Sequence, residues 1–184
     1  CVLTPDCSVS EEYLRDEVRT LRQSSNALAV VPQYIEPDGS LSRGVRPGYT
    51  FRQLVWEIVF PRWRSDRAGQ ALTRLLGIGT AGWTWPCCAC VVFRRDSFLE
   101  IGGFDPDFFL YMEDVELGKR AGRAGWTIVE SSQRVEHAIS TSSQVSANMR
   151  KQLLTDARVT FAEKEYGKLH GQVARIARKL NLKP

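Results

Sequence analysis

The sequence predicts an α/β fold, a mixed sheet flanked by helices, and three observations carry that expectation. Short apolar runs of strand character, ALAVVPQY at 27–34, CCACVVF at 87–93 and WTIV at 126–129, alternate with stretches of helical periodicity. Those stretches repeat apolar residues at Leu14, Val18 and Leu21, at Leu54, Val55, Ile58 and Val59, and at Leu117, Ala121 and Ala124. Finally, Val2-Leu3 run into a polar Thr4-Pro5-Asp6 turn. A buried parallel strand presents a carboxylate in this way at its carboxyl edge, where α/β sheets bind ligands.

In chain order, Ser8 or Ser10 caps the first helix, with Ser8 and Glu11 spaced as a capping box. Pro32 marks the strand at 27–34 as an edge strand or a strand about to end. Asp38-Gly39 is a turn, and the chain to Gly48 reads as loop with Arg43 and Arg46 exposed. Phe51 to Val59 has helical spacing and stops before Pro61. Its surplus of aromatics, Trp56, Phe60 and Trp63, fits either packing on the sheet or a helix across an acceptor site or membrane surface. Arg62, Arg64, Arg67 and Arg74 give the region local positive charge. Gly69 to Gly82 reads as a connection. The strand at 87–93 follows Trp83-Thr84-Trp85-Pro86 and leads into a short helix ending near Ile101.

The stretch from Gly102 to Gly125 holds the densest chemistry. Gly102-Gly103 suits a helix end and a tight reversal, and Asp105-Pro106-Asp107 is turn chemistry. The aromatic run Phe108 to Tyr111 precedes Glu113-Asp114, which opens a helix whose later turns carry Lys119, Arg120 and Arg123. Asp114 thus lies where the helix dipole favours the ionised carboxylate. Such a group either caps the helix or, beside an aromatic wall, accepts a proton from a substrate hydroxyl.

The chain has 184 residues and a net charge of +4, from 25 basic and 21 acidic side chains. That fits one domain with a real core and lacks the clustered basicity of a nucleic-acid binder, so no nucleic-acid partner is expected. No apolar run approaches the roughly 18 residues of a membrane span. Five cysteines without regular spacing argue against a disulfide framework and for small buried hydrophobes in a reducing cytoplasm. The opening residues read as the end of a buried strand, so an N-terminal part is expected to be missing. From Val145 the chain turns helical and basic, with an apolar stripe of Val173, Ile176, Ala177 and Leu180. Such a helix lies on an anionic membrane or docks on the protein body or a second subunit.

The run GGFDPDFFLYMEDVELGKRAGRAGW, followed by VEH, resembles the family 2 glycosyltransferases, especially the rhamnosyltransferase-like members, which carry GGFDExFFLYxEDxDLxxRxxxxGW and then a strand ending in His. The resemblance spans most of 1–143 and is specific from Trp83 to His137. It implies a GT-A fold and an inverting, metal-dependent transfer from a nucleotide-sugar donor to a glycan or lipid-linked acceptor. It implies Asp114 as the base and Glu113 as its supporting neighbour. The TPD segment is similar to the family's version of the DxD motif, with Thr4 where the family has Asp or Asn. It implies Asp6 and His137 as ligands of Mg²⁺ or Mn²⁺. Trp83, Trp85, Gly103, Phe104, Asp105 and Tyr111 are placed on the substrate side.

On this reading residues 1–143 are the acceptor-side part of a catalytic domain and 144–184 a basic helical tail. The nucleotide-binding half would precede Cys1, so the fragment alone is expected to be inactive. The expected location is cytoplasmic, with room for peripheral contact at the inner face of the cell membrane. Ser140 to Ser143 reads as a polar loop able to close over the donor. The competing reading is a truncated, non-catalytic scaffold or interaction module.

Overall fold

A computed structural model describes residues 1–60, 75–78, 80–137 and 146–181. The basic cluster Arg62, Arg64, Arg67 and Arg74, Trp63, and the polar loop 140–143 lie outside the described residues, as does the side chain of Leu180. Two compact units form. The first comprises Cys1–Pro47, Trp83–Asp105 and Asp114–Ser146; the second comprises Gly48–Gly82, Pro106–Glu113 and Ala147–Pro184. The second unit therefore takes in more of the chain than the basic tail expected from 144 onward.

The first unit is α/β, and its mixed sheet is built on β2 (Ala27–Ile35). β7 (Thr127–Glu136) runs parallel to β2 along its length. β6 (Cys90–Phe93) and β3 (Leu41–Ser42) pair with β2 antiparallel, and β1 (Val2–Leu3) pairs antiparallel with β6. Because β6 reverses direction between them, β1, β2 and β7 all point the same way. β2 is consequently central, not the edge strand that Pro32 suggested. The proline is tolerated because the β2–β7 register breaks between Val31 and Gln33, where no ladder donor is required. A small second sheet pairs β4 (Val45–Pro47) with β5 (Thr84–Pro86) inside the stretch read as loop. Arg46 is accordingly half-buried, with its guanidinium 5.6 Å from the Trp85 ring centroid.

Both faces of the sheet are covered, which is why β2 is apolar almost throughout. On one face α1 (Glu11–Gln23) packs Leu14, Val18 and Leu21 on Ala27, Val30 and Val92. Ser10, not Ser8, caps α1 by accepting the Tyr13 N–H at 3.1 Å. On the other face Phe98 of α3 (Arg95–Glu100) and Ala121 of α4 (Glu113–Arg123) pack with Leu28, Ala29, Val31 and Val91. Arg94 ties the corner together, donating to the carbonyls of Leu21, Ser24 and Ala27. α4 ends at Gly125 (φ 83°), with Trp126 N–H bonding Ala121 O and Gly125 N–H bonding Gly122 O.

α1 also buries an acid that periodicity did not reveal. Glu17 is fully buried; Ser131 Oγ donates to its Oε1 at 2.6 Å, and its Oε2 has no partner among the described residues. Burial pushes its carboxyl above the usual range, opposed by the Ser131 hydrogen bond and reinforced by Asp16. The unfolded carboxyl titrates near ~4.3, so between that pH and its raised folded value the native state holds the extra proton. Stability therefore falls as pH rises through this window and stays reduced above it. Glu17→Gln is expected to raise the melting temperature at pH 7 and to flatten the pH dependence, as read by thermal melts across the window. An unchanged pH profile would remove Glu17 as the cause.

In the second unit α2 (Phe51–Val59) buries Leu54 and Ile58, while α5 (Ala147–Tyr166) and α6 (Lys168–Asn181) form a helical pair. A buried Glu57–Arg158 ion pair at 2.6 Å joins α2 to α5. Lys164 of α5 holds the 106–113 segment, bonding Asp107 at 2.6 Å and lying 5.7 Å from the Phe108 ring centroid.

Candidate active site

The common direction of β1, β2 and β7 gathers their carboxyl ends. Asp6 follows β1, Glu36 follows β2 and His137 follows β7. The backbone fixes them: Cys7 forms an isolated bridge with His137, and the His137 N–H donates to Ile35 O at 3.0 Å. His137 Nε2 lies 3.6 Å from Asp6 Oδ2, and Nδ1 lies 3.8 Å from Glu36 Oε2. Both distances are beyond a hydrogen bond, so the imidazole stands between two carboxylates without being bonded to either. The Tyr34 ring flanks it at 5.4 Å. That ring cannot swing away, because the Tyr34 hydroxyl donates to the carbonyls of Cys87 and Cys90 and accepts the Cys90 N–H.

The Thr4 side chain hydrogen-bonds to Asp6 Oδ1 and also reaches Ala89 O at 3.2 Å. It holds the aspartate's orientation. Ser42 does the same for Glu36 Oε1, while Glu36 Oε2 is buried with no hydrogen-bond partner among the described residues. Ligating atoms of Asp6, Cys7 and His137 all lie within 4.8 Å of one another. Burial pushes the Cys7 thiol up, so it stays protonated and is a poor ligand without a soft metal. The remaining donors are carboxylate oxygen and imidazole, a set suited to Mn²⁺ or Mg²⁺. An orphaned carboxylate oxygen beside an unbonded imidazole is what such a cation requires. Sequence reading missed Glu36 because Glu36-Pro37-Asp38-Gly39 carries only turn chemistry.

Asp114 is the second residue of α4 and half-buried; its Oδ1 accepts the Val115 N–H at 2.8 Å. It lies close enough to Cys87 to act electrostatically on that thiol, as do Glu36 and Arg46. Burial is the main reason the Cys87 thiol is pushed up; Arg46 lowers it, and Asp114 and Glu36 raise it.

The other sequence-predicted residues fall into three groups. Gly103 and Phe104 belong to a loop clamped by Arg120, whose Nη2 donates to Gly103 O at 2.8 Å while Nε bonds Glu116 at 2.8 Å. The Phe104 ring packs edge-to-face against Phe93 and Phe98, and Asp105 follows it, half-buried. Trp83 is half-buried with Lys119 Nζ 5.9 Å from its ring centroid. Trp85 is buried, and its indole N–H donates to Pro47 O at 2.9 Å. Tyr111 and Glu113 belong to the second unit. Tyr111 and Met112 have φ values of 69° and 68°, a conformation costly for non-glycine residues. Burial pushes the Glu113 carboxyl up, and its Oε2 has no hydrogen-bond partner among the described residues.

Gly118 sets how closely α4 lies on β5. A Cβ there would sit 2.4 Å from Trp85 Cβ and 2.7 Å from Thr84 O. Gly118→Ala must push the helix that carries Asp114 off the strand. It is expected to cost about 3 kcal/mol, as measured by chemical denaturation. A loss below about 0.5 kcal/mol, the usual surface range, would show that the contact is not tight.

Comparison with known proteins gives a partial likeness. The chain is 51% identical over 45 residues to an N-acetylglucosaminyl-diphospho-decaprenol L-rhamnosyltransferase of Mycobacterium tuberculosis, with the same figures in two strains. It is 39% identical over 69 residues to the O-antigen biosynthesis protein RfbC of Myxococcus xanthus. The matched stretches are 24% and 37% of this chain, and only 15% and 5% of those relatives. No family model and no solved structure matches. Over the matched stretch the chain is rhamnosyltransferase-like.

Proposed function

We propose that the chain is the acceptor-side part of a GT-A type catalytic domain that transfers a sugar, with inversion, from a nucleotide-diphosphate sugar to a hydroxyl of a glycan or lipid-linked acceptor. The likeness to a rhamnosyltransferase makes a rhamnosyl donor the first to try. The observation that carries the reading is the convergence of Asp6, Glu36 and His137 at the carboxyl ends of three co-directed strands.

Asp114 takes the proton of the acceptor hydroxyl. The freed oxygen pair forms a bond to the anomeric carbon, and the bond from that carbon to the diphosphate oxygen breaks. The leaving nucleoside diphosphate keeps that electron pair, and a single displacement inverts the centre. Asp6, His137 and Glu36 would hold Mg²⁺ or Mn²⁺, which would supply positive charge to the diphosphate. Arg46 adds a fixed positive charge close by. Thr4 and Ser42 keep the carboxylates aimed, and Glu113 supports the strained entry into α4.

The test is transfer by the full-length protein carrying this chain, with Mn²⁺ and a panel of nucleotide sugars. One donor consumed, with one sugar added to the acceptor, supports the reading. No donor consumed leaves the scaffold reading in its place.

A further inference from the structure

The apolar stripe read in α6 is divided: Ala177 is buried, and Val173 and Ile176 are exposed. The buried face is made of small residues: Gly171, Ala174 and Ala177 are buried. A Cβ on Gly171 would lie 2.8 Å from Glu163 Cβ of α5, so α5 and α6 are in close contact there. Arg178, on the same side, pairs with Asp156 of α5 at 2.7 Å. Leu169, Val173 and Ile176 are left outside, 70%, 40% and 60% exposed. They recur at i, i+4 and i+7 and so form one continuous stripe.

What borders this stripe identifies what it meets. On one side Val173 joins a groove of about 280 Å³ lined by Phe51, Arg52, Val55, Trp56 and Val59 of α2 and by Phe60 just beyond it. On the other, Lys168 and Lys179 are exposed, about 100° around the helix from the stripe, and Arg175 between them is exposed but paired with Glu163 of α5. α6 carries four Lys and Arg residues and no acid over Lys168–Asn181. A second copy docking through this face would set cations against cations. No helix among the described residues is long and apolar enough to cross a membrane.

We infer that this face of the second unit, the α6 stripe with the adjoining α2 groove, seats on an anionic lipid surface. The apolar side chains enter the headgroup–acyl boundary, and Lys168 and Lys179 lie against anionic headgroups. The inference rests on the second unit alone and is independent of the glycosyl-transfer reading.

The test is sedimentation of the full-length protein with vesicles of phosphatidylcholine, alone or with one part in three phosphatidylglycerol. Binding is expected to be at least about tenfold tighter to the anionic vesicles and to weaken with salt. Leu169→Asp with Ile176→Asp is expected to weaken it about tenfold or more. Lys168→Glu with Lys179→Glu is expected to abolish the preference for anionic vesicles. All four positions are exposed, and circular dichroism checks that the helices persist. The proposal is overturned by absence of binding to either vesicle, by binding that both double variants leave unchanged, or by a dimer in gel filtration that Leu169→Asp with Ile176→Asp dissociates.

Discussion

Asp114→Asn is expected to lower the rate of sugar transfer by about 10²–10⁴-fold, the usual contribution of a positioned general base. Donor affinity should be unchanged. Asparagine keeps the shape of the side chain and an oxygen to accept the Val115 N–H, so α4 has no reason to rearrange. It cannot take a proton at neutral pH, and it carries no negative charge. Asp114 accepts the Val115 N–H, whereas burial holds the Glu113 carboxyl above its ordinary range. Two adjacent carboxyls in different surroundings imply different roles. Glu113→Gln is therefore expected to cost much less than Asp114→Asn. If the two variants exchange magnitudes, Glu113 is the base. If neither lowers the rate, the pair only opens the helix. Pre-steady-state kinetics separates loss of chemistry from loss of donor binding.

The second large effect concerns the cation. Asp6→Asn or His137→Ala is expected to weaken Mn²⁺ binding by at least about 100-fold, and Glu36→Gln by about 10–100-fold. Thr4→Val removes the hydroxyl that orients Asp6 without touching a ligand, and an effect of about tenfold is expected. Direct Mn²⁺ titration reads these values without any turnover. Equal affinity in Asp6→Asn, His137→Ala and wild type would show that the three strand ends do not form the metal site.

Where local pattern determined an element, the sequence made it legible. The helix from Glu113, its glycine stop and the presence of a strand at 27–34 all follow from periodicity, charge placement and backbone freedom. Asp6 and His137 were singled out from the sequence, and they stand side by side. The misses share a different cause, since each depends on contacts distant in sequence. Glu36 joins the cluster only because β7 runs parallel to β2 and brings His137 to its end. Pro32 occupies a central strand only because the partner ladder breaks opposite it. Glu17 is buried by Ser131, more than 100 residues away. Of the stripe read in α6, Ala177 is buried while Val173 and Ile176 are exposed, a division that apolar count alone did not give. Close packing at Gly171 and Ala174 decided it.

Glycosyl transfer by single displacement is tested most directly by the anomeric configuration of the first-formed product. The full-length protein, Mn²⁺, the donor it consumes and an acceptor are combined in an NMR tube, and the anomeric proton of the transferred sugar is followed from the start. The expected result is a new glycosidic bond of opposite configuration to the donor, formed at a rate that Asp114→Asn sharply reduces. A product that retains the donor configuration, or transfer indifferent to Asp114, would contradict the mechanism.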